Sequence, residues 1–355
     1  MPCKFVPKYE RQNIWLKGKY LLENGQIEAR YRHTDNDDYY ASGLSAEQYH
    51  ENPKQSSPYG GYAKSKQDSY LVKYDTKVID NLDFMIYGGY DEYDYHGDSL
   101  GKWGPWITKY KAKQGYTKGQ LKYTYAPNSY VILGGDYNDG KYEDKKDRTK
   151  PDQKREIKAG YIMNKFTLDN LELTQGIRNE HIKFNFDNED KKFSKNSYEL
   201  GANYLYSDTG SLYLSYNRGF RAPTIQDMNY WAGDKKLQKS DSYEIGIRDM
   251  VGNTYISTSI FNIDTENEIY YDGAYPVNSK NKNFDGKVRR RGANLNLAHY
   301  FDGITLREGL SYIQPKVKTG KYSGHWSDDS LLDDHIRPFE VLHSNLGAGI
   351  ELATF

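Results

Sequence analysis

The sequence predicts an all-β protein, a transmembrane antiparallel β-barrel. Apolar and polar residues alternate with a period of two through most of the chain, which is typical of strands with one apolar face. Tight turns and long polar loops follow one another in strict alternation, as in barrels of the bacterial outer membrane. Tyrosine is abundant, with 36 residues against 12 phenylalanines and 5 tryptophans. Its amphipathic ring suits the interface between lipid and water.

Composition excludes several other classes of protein. The 355 residues include 49 basic and 49 acidic side chains, so no basic excess favours a nucleic-acid partner. The sequence contains no run of about 18 apolar residues, so it predicts no transmembrane helix. Cys3 is the only cysteine, which excludes an internal disulfide and a cysteine metal site. No secretory segment follows Met1, so we expect either a cytoplasmic chain or an internal fragment.

Seven strand pairs, each joined by a tight turn, follow from the alternation and from turn residues such as Asn24-Gly25. The predicted pairs are 13–22 with 26–33, 68–78 with 82–93, 110–125 with 130–137, 153–163 with 168–186, 198–206 with 212–220, 243–250 with 254–271, and 287–300 with 304–313. Long loops are predicted at 34–66, 94–108 and 138–152. A last strand, 341–352, has no partner, which gives about fifteen strands and favours a fragment, since a bacterial barrel closes with an even number.

The alternation also predicts which side chains face lipid. Leu200 and Tyr204 lie on one face of their strand, and Glu199 and Asn203 lie on the other. An apolar exterior with polar residues inside is what a water-filled barrel requires. A large soluble antiparallel sheet would show the same alternation, but the separation of short turns from long loops favours the barrel.

One segment resembles a known family. Residues 212–224 read LYLSYNRGFRAPT, and they resemble the most recognisable segment of TonB-dependent outer-membrane receptors. Residues 239–246, 173–180 and 261–264 resemble neighbouring strands of that family. The resemblance implies a barrel of about 22 strands that is filled by an N-terminal plug domain. Residues 1–355 would then form one partial barrel domain, without the plug and without about seven strands.

The resemblance implies a receptor in the outer membrane of a Gram-negative bacterium. Its partners would be an iron chelate, most simply a ferric siderophore, and the TonB energy-coupling protein, reached through the missing N-terminal region. Outer-membrane lipid and lipopolysaccharide would surround it. Two alternatives stay open, a haem receptor of the same family and an uncoupled porin or adhesin barrel. No catalytic grouping, no cofactor and no metal site is predicted.

Arg221 in the Phe-Arg-Ala-Pro motif is the first candidate for ligand contact, although a corner that ends the strand is the favoured interpretation. No histidine occurs between residues 224 and 241, where the haem-transporting branch has a ligand, and this argues weakly against haem. Aromatic loop residues suit a planar or catechol-type chelate, but an aromatic girdle or loop packing explains them equally well. The candidate ligand-binding residues are Arg221, Tyr230, Trp231, Tyr270, Tyr271, His325 and Trp326.

A single basic run comprises Lys287, Arg289, Arg290 and Arg291. It could attract an anionic chelate or the phosphates of lipopolysaccharide. We expect instead that it is a solvated strand end.

Overall fold

The structure is a computed structural model that describes residues 8–55, 57–101, 104–147, 151–186, 189–224, 227–228, 234–272, 280–320 and 345–354. For residues 189, 271–272, 280 and 345–354 it describes the backbone alone. The elements in these ranges are nearly all strands. They are β1 (Lys8–Leu21), β2 (Gly25–Ala41), α1 (Ala46–Glu51), β3 (Gly60–Ile79), β4 (Leu82–Gly101), β5 (Gly104–Ala126), β6 (Ser129–Asp144), β7 (Gln153–Leu168), β8 (Leu171–Phe186), β9 (Glu189–Leu205), β10 (Ser211–Arg221), β11 (Gln238–Val251), β12 (Thr254–Glu266), β13 (Ile269–Asp272), β14 (Lys280–Asn283), β15 (Gly286–Phe301), β16 (Ile304–Gly320) and β17 (Asn345–Thr354).

Fifteen strands form one sheet, in which β1 to β12 are followed by β15, β16 and β17. Consecutive strands pair antiparallel, as in β1–β2 and β10–β11, and β13–β14 forms a separate hairpin. Four of the tight turns contain a residue with positive φ, namely Asn128, Asp169, Gly252 and Gly303, which are residue types that tolerate this conformation. The all-β antiparallel prediction and the predicted strand number are confirmed.

The chain divides into two compact units. The first contains the described residues of Met1–Lys122, Gly134–Ala159 and His181–Lys192, and the second contains the rest. Within the described residues, no helix has the length and apolar character needed to cross a membrane.

Several strands extend well into the predicted loops. The 34–66 connection is strand as far as Ala41 and again from Gly60, and β9 begins at residue 189 instead of 198. The first of these extensions is held by ion pairs between strands, since Lys64 Nζ lies 2.7 Å from Asp37 and Lys66 Nζ lies 3.1 Å from Asp35. Oppositely charged pairs stabilise adjacent strands but leave no apolar alternation for a sequence pattern to detect.

Two other boundaries differ from the prediction. The single strand expected at 254–271 is divided into β12 and β13 at Asn267, whose φ is 52°. Within the predicted 34–66 loop lies α1, where the Ser45 hydroxyl accepts from the Gln48 amide and the Gln48 side chain accepts from the Ser45 amide. This capping box was readable as Ser-x-x-Gln. The last strand begins within the described residues at Asn345, and residues 341–344 of its predicted span lie outside them.

Each unit has one apolar and one polar sheet face, as predicted. In the first unit Val72 and Ile86 are exposed on one face, while Lys17 binds Glu28 on the other at 3.1 Å. In the second unit Leu200 and Leu214 project from one face. On its opposite face Asn203 donates to Glu172 at 3.2 Å. Large exposed apolar side chains on one face match a surface that lipid covers.

Glycines on the polar face let aromatic rings lie flat against the sheet. The Tyr213 hydroxyl donates to Glu244 at 2.7 Å, and the Arg248 guanidinium lies 4.6 Å from the Tyr213 ring centroid. A Cβ atom on Gly246 would approach this ring to 2.5 Å. Tyr116 covers Gly89 in the same way, because a Cβ atom on Gly89 would approach the Tyr116 ring to 2.4 Å. Only glycine leaves room for the ring at these positions.

We predict that Gly246→Ala lowers the free energy of unfolding by about 1–3 kcal/mol, because the Tyr213 ring must move and lose its contacts with Glu244 and Arg248. Equilibrium denaturation of the refolded protein in detergent measures this change. Gly160→Ala is the control, since nothing lies within 4 Å of a Cβ there, and its effect should stay within about 0.5 kcal/mol. Equal effects of the two substitutions would contradict the prediction.

Candidate functional site

Strand β10 ends in a corner that is built around Asp227. An Arg221 Nη2 hydrogen is donated to Asp227 Oδ2 at 3.0 Å, and the same oxygen accepts from the Thr224 amide at 2.7 Å. The Asp227 amide in turn donates to Thr224 Oγ1 at 3.0 Å. Pro223, whose side chain is fully buried, has no amide hydrogen to continue the ladder. This geometry agrees with the favoured interpretation of the motif as a corner, because the Arg221 side chain already has a carboxylate partner.

The loop after this corner is fastened to the β13–β14 hairpin through Asn283. The Asn283 side chain accepts from the Lys236 amide at 2.7 Å and donates to the carbonyls of Lys236 at 3.0 Å and Asn267 at 2.8 Å. One amide group therefore satisfies three backbone groups from two segments. Unpaired backbone groups at such a junction would be costly if buried.

Two further amide side chains strengthen the same junction. Asn281 Nδ2 donates to the Asp227 carbonyl at 2.9 Å, and Gln238 Oε1 accepts from the Ile269 amide at 3.0 Å. Buried apolar side chains accompany these bonds at the described ends of the loop and on the hairpin. They are Ala222, Met228, Leu237, Ile269 and Phe284. We call the described parts of the loop (222–224, 227–228 and 234–237) together with β13–β14 the docked rim.

The basic run was expected to be a solvated strand end, but its two central residues, Arg289 and Arg290, are paired with carboxylates. Arg289 makes a bidentate contact with Asp264, in which Nε donates to Oδ1 at 2.6 Å and Nη2 donates to Oδ2 at 2.8 Å. Arg290 does the same with Glu268, at 3.0 and 2.6 Å. Asp264 is buried, and a buried carboxylate needs such a partner to offset its loss of hydration. These cations serve to hold β12, β15 and the start of the hairpin together, because each already has a carboxylate partner.

The predicted site residues fall into two groups. Arg221 and Tyr270 are fully described, and the backbone of Tyr271 lies in β13. The Tyr270 ring packs edge-on against Phe284, with ring centroids 6.3 Å apart. The docked rim connects these residues, because Asp227 binds Arg221 and also accepts from Asn281 on the hairpin. Four predicted residues lie outside the described residues, namely Tyr230, Trp231, His325 and Trp326.

Sequence reasoning missed the residues that organise the rim. Asn281 and Asn283 are two positions apart on β14, so they share a face of the hairpin. An Asn-x-Asn pair in a predicted loop was the only signal. It carries little specificity, because asparagine is common in loops and turns. In the described part of the chain, no group of three or more His, Cys, Asp or Glu side chains is arranged to hold a metal ion.

We predict that Asn283→Asp loosens the docked rim. A carboxylate cannot donate to the carbonyls of Lys236 and Asn267 and would repel both, at a cost of about 1–3 kcal/mol. Hydrogen–deuterium exchange of residues 234–237 and 267–269 should therefore become faster. Asn196→Asp is the matched control, because the Asn196 side chain bonds Asn179 and Tyr198 on exposed strand surface, away from the rim. Unchanged exchange in the Asn283 variant would show that the rim does not depend on this amide.

A double-mutant cycle separates the two interpretations of Arg221. If Arg221 acts through Asp227, then Arg221→Ala and Asp227→Ala should be coupled by about 0.2–1 kcal/mol in unfolding, the range for exposed ion pairs. Ligand affinity should then fall little further when Arg221→Ala is added to Asp227→Ala. A full additional loss of affinity in the double variant would mean that Arg221 contacts the ligand directly.

Solved structures share this fold at low sequence identity. The unliganded ferric citrate transporter FecA is 18% identical, with a TM-score of 0.73, and the match covers 90% of this chain and 53% of that one. The ferric-catecholate import receptor Fiu from K12 E. coli is 15% identical, with a TM-score of 0.68 and coverages of 89% and 59%. The copper transporter OprC is 12% identical, with a TM-score of 0.71 and coverages of 87% and 53%.

The chain thus spans a little over half the length of the solved structures that it matches. A family model described as TonB dependent receptor-like, beta-barrel matches residues 7–336. This match covers most of the chain, and it includes the Phe-Arg-Ala-Pro corner and the docked rim. The chain therefore belongs to the family of TonB-dependent receptor-like β-barrels.

Proposed function

We propose that this protein is an outer-membrane receptor that imports an iron chelate, a ferric siderophore, by TonB-coupled active transport. The observation that carries the proposal is the family match over residues 7–336. Similar folds occur in a ferric citrate transporter and a ferric-catecholate import receptor, which supports iron chelates as the class of cargo. The role is transport and not catalysis.

Ligand capture would take place at the ends of the strands that carry the long loops. The docked rim lies at this end, since β10 runs from the tight turn before Ser211 to the corner after Arg221. The described parts of its loop and the two hairpin strands are held by side-chain amides and buried apolar groups, so these parts would need little ordering when a ligand binds. Such preorganisation raises affinity by lowering the entropy cost of binding.

Release into the cell requires a second state with lower affinity for the chelate. We propose that TonB drives the protein into this state through a region N-terminal to the barrel, and that a plug domain occupies the barrel. Residues 1–355 would supply one partial barrel domain of the receptor. The polar sheet face would line the interior, and the apolar face would contact outer-membrane lipid and lipopolysaccharide.

Uptake of radiolabelled iron tests the proposal. Gram-negative cells with and without the gene would be offered ferric dihydroxybenzoate, ferric citrate, ferric desferrioxamine and haemin, with a copper salt as a further arm. We expect gene-dependent uptake of at least one ferric chelate, and we expect that uptake to stop in a TonB-deficient strain.

Each contrary outcome identifies a rival function. Gene-dependent uptake that continues without TonB would indicate an uncoupled porin. Uptake confined to haemin or to copper would replace the siderophore with that cargo. Equal accumulation of all probes with and without the gene would refute a transport function.

A further inference from the structure

Four tyrosines from three neighbouring strands form a contiguous group in the first unit, which we call the tyrosine row. Tyr95 on β4 stacks on Tyr110 of β5, with ring centroids 5.1 Å apart and planes inclined by 23°. Tyr110 stacks in turn on Tyr142 of β6 at 5.1 Å and 29°. The ring centroid of Tyr93 lies 6.0 Å from that of Tyr110. The 5.1 Å steps are close to the spacing of adjacent strands, so the rings stand side by side across the sheet.

The row lies on the polar face, at the ends of the strands that carry the long loops. On β4 the exposed residues Ile86 and Tyr90 mark the apolar face, and Tyr95 is an odd number of positions from both, which places it on the opposite face. The tight turn of β4 precedes Leu82 and that of β5 follows Ala126. Tyr95 and Tyr110 are farther from these turns than the roughly 9–11 residues that cross a bilayer. Tyr95 and Tyr110 therefore lie beyond the membrane-spanning segments, at the level where a ligand from outside would first meet the polar face.

The hydroxyl groups of Tyr95 and Tyr110 differ from those of three other tyrosines that bind carboxylates. Tyr31, Tyr213 and Tyr216 each donate to a carboxylate, at 2.7–2.9 Å. In the described part of the chain, no carboxylate accepts a hydrogen bond from Tyr95 or Tyr110. A phenol is neutral at physiological pH because its ordinary pKa is about 10, and burial raises the pKa of Tyr95 and Tyr110 further. Neutral phenols donate hydrogen bonds, whereas direct ligation of ferric iron would require the phenolate.

An aromatic ring and a positive charge extend the row toward the loop. Trp106 is 61% exposed and is four residues from Tyr110 on β5, so both lie on one strand face. Lys146 Nζ lies 5.1 Å from the Trp106 ring centroid. This arrangement offers an accessible aromatic face, hydrogen-bond donors and a cation. A ligand that uses all three is anionic, rich in oxygen and aromatic.

We propose that the tyrosine row and Trp106 form a binding site for the catecholate rings of a ferric chelate. The exposed Trp106 ring stacks on a catecholate ring, Lys146 attracts the anionic complex, and the phenols of Tyr95 and Tyr110 donate hydrogen bonds to its oxygen atoms. This inference rests on the proposed function and narrows its cargo. Citrate and hydroxamate chelates lack aromatic rings and would gain nothing from the stacking surface.

Binding to the purified full-length protein in detergent micelles tests the site, with ferric dihydroxybenzoate, ferric citrate and ferric desferrioxamine as probes. Tyr110→Phe keeps the ring stack and removes one donor. It should weaken ferric dihydroxybenzoate binding about 3- to 10-fold and leave any binding of the other two probes unchanged. Trp106→Ala should weaken the same probe about 10-fold or more. Tyr137→Phe is the matched control, since its hydroxyl binds Glu156 at 3.3 Å, away from the row, and it should have no effect.

The outcomes separate this site from the broader function. If ferric citrate or ferric desferrioxamine binds and is imported while ferric dihydroxybenzoate does not bind, the tyrosine row is refuted and the transport function stands. The site is refuted in the same way if ferric dihydroxybenzoate binds equally well to wild type and to both variants. If no ferric chelate binds or is imported, both proposals fail.

Discussion

Every backbone amide and carbonyl group inside a lipid bilayer must be hydrogen-bonded within the protein, because lipid offers no partner. Within the fifteen-stranded sheet, the strands between β1 and β17 meet this requirement by pairing antiparallel with a neighbour on each side. The strands are long, and β5 has 23 residues, whereas about 9–11 residues suffice to cross a bilayer. In such a strand the surplus extends beyond the apolar band and toward the long loops. The position of the tyrosine row follows from this surplus length, whereas the docked rim comes directly after β10, which has 11 residues.

The apolar and polar faces of the sheet arrange their side chains differently along the same strands. Apolar side chains project singly from one face, where close packing against protein is not needed. The other face places rings flat over glycines, as Tyr213 does at Gly246, and joins polar groups in short networks. Beyond the apolar band the chemistry changes again, because pairs such as Lys64 with Asp37 connect neighbouring strands. These extensions stay ordered through charge pairing and not through burial of apolar surface.

The two candidate surfaces are built in contrasting ways. The docked rim depends on side-chain amides that bind backbone groups, with Asn283 at the centre, and the neighbouring guanidinium groups of Arg221, Arg289 and Arg290 are paired with carboxylates. It is therefore a support that joins the described parts of the loop to the strands of the hairpin. The tyrosine row is joined by stacking of half-buried rings, and beside it lie the exposed ring of Trp106 and the Lys146 ammonium group. Support and recognition are thus separate tasks, assigned to different strands of the sheet.

Alternation and turn residues were sufficient to predict the fold class, the strand number and the tight turns, because a strand with one lipid-covered face imposes a local pattern with a period of two. The Phe-Arg-Ala-Pro motif was sufficient to predict the family. The same signals failed where both faces are polar, so the outer ends of β2, β3 and β9 were predicted as loops. These sequence signals also could not predict which residues far apart in the chain would be in contact. Tertiary structure alone decided that Arg221 binds Asp227, that Arg289 and Arg290 are neutralised, and that Tyr95, Tyr110 and Tyr142 meet across three strands. The physical reason is that such contacts depend on register and strand order, which bring together side chains that no local pattern relates.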